Sequence, residues 1–402
     1  TVNNRGTVLE SEEIQAAVPG QDVVLTIDPK LQRAAEDALK HSIEYVNAYR
    51  AEHDIEPMTS VRGALVAMDP RNGEILAMAS VPTFDQNLFK HRPTPPQISQ
   101  VLTDPELPLL NRAIKAYPPA STFKLVTSST LLRGGYITPN THYYCSAYIK
   151  YGGIRWDNWS YPASRGNYNV KEALGDSCNT FFWRAAIDTP NFSEGWSSFI
   201  EQLAERARDF GYGQPVGLAL PGEEPGHVPT EADGQQYFGT QWYPGYTLNA
   251  SIGQGTVLAT PVQVAQLGMT IAMDGRRAQP HLIKSVGGKP KEVDVSTVPG
   301  RFWDTLQEGM RLVVAKFSNG GYSPLSPTKF PIDVAGKTGT AQNAGIDHAW
   351  FVGYGPIDDP ELVVAVFIEH GTNSTDVAIP VAADFMSAYW GVGSGTLATE
   401  AP

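Results

Sequence analysis

Three short groups of residues in this chain combine hydroxyls, amines and an amide at spacings that suit nucleophilic catalysis. Ser121-Thr122-Phe123-Lys124 sets a hydroxyl and an amine three positions apart, on one face of any helix that carries them. A serine hydroxyl is a weak nucleophile and needs an adjacent base. Lysine can be that base if burial or a neighbouring cation lowers its pKa towards neutrality. Pro118 and Pro119 open a helix predicted over Ala120–Arg133, so Ser121 falls in the first turn, where free N–H groups and the helix dipole favour developing negative charge. Alone the pattern is weak. Ser326-Pro327-Thr328-Lys329 matches it too, and the ordinary reading of either is a surface serine and lysine.

The second group is Ser177-Cys178-Asn179, the only Ser-x-Asn in the chain. A second hydroxyl can pass a proton between base and leaving group, and an amide can hold both a lysine and a substrate carbonyl. Its ordinary reading is a helix-surface or cap pair. The third, Lys337-Thr338-Gly339-Thr340, contains the only Lys-Thr-Gly. On a strand, the residue without a side chain lets a substrate backbone approach, and the flanking cation and hydroxyls suit a carboxylate-bearing ligand. Singly it reads as an ordinary strand edge. Along the chain Ser121 precedes both other groups, whereas Ser326 follows the second and directly precedes the third.

These groups need elements to position them. Val23–Ile27 is predicted as a strand, followed by a helix from an Asp28 N-cap and Pro29 to about Tyr49. Gly63–Met68 and Glu74–Ser80 form a hairpin around Asp69-Pro70-Arg71-Asn72-Gly73. Their near-continuous apolar character implies burial on both faces. Lys171–Ala186 and Pro261–Met273 are helical candidates, and the Tyr-, Trp- and Gly-dense run Thr141–Asn169 is expected to be a long irregular connection. Trp156 and Trp159 within it are read as core cover rather than sugar platforms. Ala349–Gly353 and Leu362–Glu369 give another hairpin, and a last helix spans about Val377–Tyr389. The fold class expected is α/β (α+β): a mainly antiparallel central sheet, helices on both faces, and a mostly helical subdomain.

The chain has 402 residues, 42% hydrophobic, enough for a large core. A net charge of −12 without a Lys/Arg cluster excludes a nucleic-acid binder. No apolar run approaches the roughly 20 residues that span a bilayer, and the start at Thr1 is read as a processed or truncated chain. Cys145 and Cys178 could form one bridge, but two small buried hydrophobes are the preferred reading. The histidines show no ligand spacing, so no metal or other cofactor is expected, and a zinc site from His142, Cys145 and Cys178 is disfavoured.

The ordered set Ser-x-x-Lys, Ser-x-Asn and Lys-Thr-Gly resembles that of penicillin-binding proteins and class A β-lactamases. The likeness to penicillin-binding proteins extends further, through Gly63–Pro82, Asn111-Arg112-Ala113, Tyr117–Thr122, Ile252-Gly253-Gln254-Gly255, Ala259-Thr260-Pro261 and Ala341-Gln342 with Ala349–Gly353. Tyr117-Pro118-Pro119 and Asn87-Leu88-Phe89 resemble class B enzymes of the elongation type, often called penicillin-binding protein 2. Ala120 departs from the family's common glycine. The resemblance implies a transpeptidase fold, with residues 1–21 a stub of an N-terminal pedestal or linker, 22–392 the catalytic domain with a helical insertion at about 85–275, and 393–402 a tail.

By the same resemblance Ser121 is the nucleophile, Lys124 its base, and Ser177, Asn179 and Lys337 further catalytic groups, with Thr338, Gly339 and Thr340 binding substrate. Backbone N–H groups of Ser121 and Thr340 would form the oxyanion hole. The implied partners are stem peptides ending in D-Ala-D-Ala, β-lactams covalent at Ser121, and a membrane-embedded glycosyltransferase of the elongation machinery. The implied place is the outer face of the cytoplasmic membrane, reached by an N-terminal anchor absent from the chain. The alternatives are a D-alanyl-D-alanine carboxypeptidase and a non-catalytic β-lactam-sensing or wall-binding domain. A β-lactamase is disfavoured because no Glu-x-x-Leu-Asn-like segment lies between the second and third groups.

Overall fold

The computed structural model describes residues 5, 7, 18–90, 94–192, 198–315, 323–343 and 345–393. Most of the expected N-terminal stub and of the C-terminal tail therefore lies outside the described residues. At the centre is a five-stranded antiparallel sheet in the order Ala335–Ala341, His348–Gly355, Leu362–Ile368, Gly63–Met68, Ile75–Val81. The late strand Leu362–Ile368 pairs with the early Gly63–Met68, from Val363 opposite Met68 to Ile368 opposite Gly63. Closure of the sheet thus joins the two ends of the chain, and the Lys-Thr-Gly strand is left at one edge.

Strand side chains alternate between faces, and here both faces are dry. Ala64, Val66, Met68, Val363, Ala365 and Phe367 belong to one core, Leu65, Ala67, Val364, Val366 and Ile368 to the other. That is why these strands read as unbroken apolar runs. The Pro261–Ala272 helix, buried at all its positions, packs on the first face. Pro29–Glu52 and Ala378–Trp390 cover the second. The Pro29–Glu52 helix starts as expected: the Asp28 carboxylate accepts from the N–H groups of Lys30 (2.7 Å) and Leu31 (3.1 Å).

Four sequence expectations need correction. The Lys171–Ala186 helix is two helices, Val170–Gly175 and Asn179–Ile187. The break falls on the second motif: Ser177 adopts φ +53°, in the left-handed region, and Cys178 becomes the extended N-cap of the following helix, its Sγ accepting from Phe181 N–H. Thr141–Asn169 is not irregular. It carries two antiparallel pairs, Tyr143–Cys145 with Gly166–Tyr168 and Tyr148–Tyr151 with Ile154–Asp157.

Cys145 and Cys178 are joined by a disulfide, with Cα atoms 6.2 Å apart. The bridge removes both sulfurs as zinc ligands. Its formation needs the break after Gly175, which turns Cys178 back towards the Tyr143–Cys145 strand. Finally, the two tryptophans differ. Trp156 packs edge-on against Trp183 at the margin of the core, whereas Trp159 is 48% exposed. No helix among the described residues is long and apolar enough to cross a membrane.

Candidate active site

Ser121 lies in a 3-10 turn, Ala120–Phe123, that runs directly into the α-helix Lys124–Arg133. This turn is fixed from two sides. Trp350, fully buried on its strand, donates its indole N–H to Pro118 O at 2.9 Å. Ala120 N–H donates to Gly253 O at 2.9 Å. Ala120 itself has φ +49°, a conformation that costs an alanine about 1–2 kcal/mol and that glycine adopts freely. Gly253 is needed where it stands, because a Cβ there would run into Ala120 O. The family-like Ile252-Gly253-Gln254-Gly255 stretch is therefore a buttress of the turn that carries Ser121.

Lys124 is wholly buried, and its Nζ donates to Ser177 O at 2.7 Å and Asn179 Oδ1 at 2.6 Å, with Ser177 Oγ at 3.2 Å. The first two motifs are thereby brought into one hydrogen-bonded cluster. Lys337, also wholly buried, reaches the same hydroxyl from the other side, 3.1 Å from Ser177 Oγ, and donates to Thr338 O at 3.0 Å. Burial holds the Lys124 amine well below the usual lysine range, and the Lys337 charge pushes it the same way, while Asp176 opposes both. Burial likewise brings Lys337 down to about 7 against the pull of Asp176. No carboxylate ion-pairs with either amine among the described residues.

The third motif occupies the free edge of the sheet. Gly339 faces the nucleophile turn: a Cβ there would be 2.9 Å from Pro119 O and 3.1 Å from Thr122 Cγ2. Beyond the substrate approach expected of this glycine, its bare Cα admits the turn that carries Ser121. Thr340 O accepts from Gln254 Nε2 at 3.2 Å on the side away from the neighbouring strand. N–H and C=O of one antiparallel strand residue point the same way, so the Thr340 N–H also turns to the open edge. Thr340 Oγ1 is 3.1 Å from Ser374 Oγ.

Ser121, Ser177, Asn179, Thr338 and Thr340 line one cleft of about 490 Å³. Lys124 and Lys337 stand behind its wall, and Gly339 packs beneath it. The duplicate Ser326 is buried in a loop whose Leu325 and Phe330 belong to the opposite core, and it does not line the cleft. Glu223 and Glu224 bind their own loops, Glu223 through the N–H groups of Val216, Gly217 and Leu218, Glu224 through Lys115 and Ala116 N–H.

Sequence reasoning missed several residues of the cleft. Asp176 receives Arg165 Nε and Nη2 at 2.9 and 3.0 Å, and its carbonyl accepts from Trp159 Nε1 at 2.9 Å. Asn158 Oδ1 accepts from Asn179 N–H at 2.9 Å. Adjacency to Ser177 could have drawn attention to Asp176. Nothing in the sequence singles out Asn158.

The site is thus a buried lysine pair around one hydroxyl, beside a half-buried serine and a strand edge. Residues 63–387 match the family described as the penicillin binding protein transpeptidase domain. The chain is 31% identical to the peptidoglycan D,D-transpeptidase MrdA of Haemophilus influenzae, over 96% of this chain and 59% of that protein. It is 32% identical to MrdA of Escherichia coli K12, over 92% and 58%. The chain thus spans about three-fifths of the length of these relatives.

Among solved structures, one from work on structural coordination of polymerization and crosslinking by a peptidoglycan synthase complex superposes with TM-score 0.87 at 44% identity, covering 99% of this chain and 67% of that one. Pseudomonas aeruginosa PBP2 in complex with WCK 5153 gives 0.79 at 32% identity, over 95% and 79%. Motif order, the shared sheet and the match across residues 63–387 lead to one conclusion: this chain belongs to the penicillin-binding protein transpeptidase family.

Proposed function

We propose that this chain is the catalytic part of an elongation-type peptidoglycan D,D-transpeptidase acting through a Ser121 acyl-enzyme. The observation that carries the reading is the hydrogen bonding of Lys124. A neutral amine has two N–H donors and one lone pair. In that form Ser177 O and Asn179 Oδ1, at 2.7 and 2.6 Å, take the two donors, and the lone pair is placed to accept a hydroxyl proton, with Ser177 Oγ at 3.2 Å. Burial and the nearby Lys337 favour that neutral form.

In the first half-reaction Lys124 takes the Ser121 proton as Oγ attacks the carbonyl of the penultimate D-alanine. The tetrahedral oxyanion is received by the N–H groups of Ser121 and Thr340. Ser177, between the two lysines, passes a proton to the departing D-alanine nitrogen, and the C–N bond breaks to leave an ester on Ser121. In the second, an amine of a neighbouring strand attacks the ester, loses its proton back through the same groups, and releases Ser121 with a new amide cross-link. Lys337, Thr338 and Thr340 hold the terminal carboxylate of the donor peptide. β-Lactams acylate the same Ser121 and leave slowly.

The cross-linking partner enzyme is a membrane-embedded glycosyltransferase, and the site of action is the outer face of the cytoplasmic membrane, reached through an N-terminal anchor beyond this chain. The relative from the peptidoglycan synthase complex supports the first point. The disulfide supports the second, since such bonds persist in oxidising compartments.

The test is a donor stem pentapeptide incubated with and without an amine acceptor, with products separated by mass. The proposal expects a cross-linked product that requires acceptor and is lost in Ser121→Ala. Release of D-alanine with no cross-link, even at high acceptor, would make the protein a carboxypeptidase. No reaction and no β-lactam adduct would make it a silent binding domain.

A further inference from the structure

Ser177 is held at φ +53°, a strained conformation that persists only when its surroundings over-determine it. Besides the preceding helix, whose Ala173 and Leu174 carbonyls accept from Cys178 and Ser177 N–H, the surroundings come largely from one stretch of chain, residues 145–165. Cys145 bonds Cys178 covalently. Asn158 Oδ1 accepts from Asn179 N–H, Trp159 Nε1 donates to Asp176 O, and Arg165 makes two hydrogen bonds to the Asp176 carboxylate. The stretch is itself tied at Cys145, whose carbonyl accepts from Arg165 N–H at 2.8 Å. Asn158 N–H in turn donates to Ala147 O at 2.8 Å. The 145–165 stretch thus grips Asp176, Cys178 and Asn179, and Ser177 between them supplies the hydroxyl and carbonyl at Lys124.

We infer that the Cys145–Cys178 disulfide is a positioning element of the acylation machinery: it fixes the Ser177–Asn179 turn so that both acceptors of Lys124 stay in register. Neither sulfur touches Lys124. The bridge acts through the residues on either side of Cys178, and Cys145, wholly buried in the margin of the core, is its fixed end. Without the covalent link, the turn keeps its hydrogen bonds to Asn158, Trp159 and Arg165 but gains freedom at its middle. Small displacements suffice to matter, because misplacing reacting groups by about 1 Å costs on the order of a hundredfold in rate.

The inference rests on the reading that Ser121, Lys124, Ser177 and Asn179 form the acylating set, and the test separates the two. Wild type, Cys145→Ser/Cys178→Ser and Cys145→Ala are compared in stopped-flow acylation by a fluorescent penicillin, and thermal unfolding is followed in parallel. The expected result is folded variants whose first-order acylation constant at saturating drug falls roughly tenfold, with the half-saturating concentration nearly unchanged. A merely structural bridge would lower the unfolding midpoint and leave that constant alone, so a fall of less than about threefold overturns the inference. Failure of both variants to fold also overturns it, since the bridge would then hold the domain rather than the turn. A wild type that is not acylated at all instead sinks the assignment of the acylating set.

Discussion

Replacing Lys337 by methionine removes one positive charge from the buried pair that shares the Ser177 hydroxyl, while keeping an unbranched apolar stem in the same space. The two nitrogens are 3.2 and 3.1 Å from Ser177 Oγ, which puts them about 5–6 Å apart. At an effective dielectric constant of about 20, two unit charges at that distance repel by roughly 3 kcal/mol, enough to favour the neutral Lys124 amine. The repulsion acts where Lys337 carries its proton, below its pKa of about 7.

The sign follows directly. Lys337 in its charged form lowers the Lys124 pKa, so its removal raises that pKa and shrinks the neutral, proton-accepting fraction at any given acidic pH. The assay is the saturating acylation rate with a fluorescent penicillin between pH 5 and 9 at fixed ionic strength. The acid limb of K337M should move to higher pH than that of the wild type. Its plateau should also fall, because Ser177 loses a donor. A limb that stays in place, with only the plateau reduced, would refute the argument that Lys337 tunes Lys124 electrostatically.

The same burial has a stability consequence. The unfolded chain binds more protons than the folded one between the lowered Lys337 pKa of about 7 and the ordinary 10.5, so wild-type stability should rise as pH increases through that window. K337M should lack that increment and unfold at higher temperature than wild type at pH 7, measured by calorimetry at both ends of the window. Gly339→Ala brings a Cβ to 2.9 Å from Pro119 O and must part the strand edge from the nucleophile turn. Acylation should fall by roughly tenfold or more while the protein stays folded, read from adduct kinetics alongside circular dichroism. Ser326→Ala should leave the acylation rate unchanged within about twofold, since that hydroxyl belongs to the opposite core.

The sheet and the three motifs were legible because each rests on local pattern. Two apolar hairpins buried on both faces leave a continuous signature, and the motif order of the family that the chain resembles separates Ser121 from Ser326. The second motif's setting was not legible. Apolar helix formers flank it on both sides, so periodicity ran straight through Asp176–Cys178, where the chain breaks and turns. That break decides whether Cys178 can meet Cys145, and pairing of two cysteines is a property of tertiary distance that no spacing encodes. The short strands in 143–168 escaped for a similar reason: their turns, closed by Gly152-Gly153 and by contacts to Cys145, are set by what they brace. The packing role of Gly339 was not legible either, since only the fold shows that the backbone of Pro119 approaches it.

The measurement closest to the central claim is peptide mapping by mass spectrometry after incubation of the intact protein with a penicillin. The account predicts one covalent adduct on the peptide bearing Ser121, absent from Ser121→Ala and still present in Ser326→Ala. No adduct on the wild type, or an adduct carried by the Ser326 peptide, would contradict it.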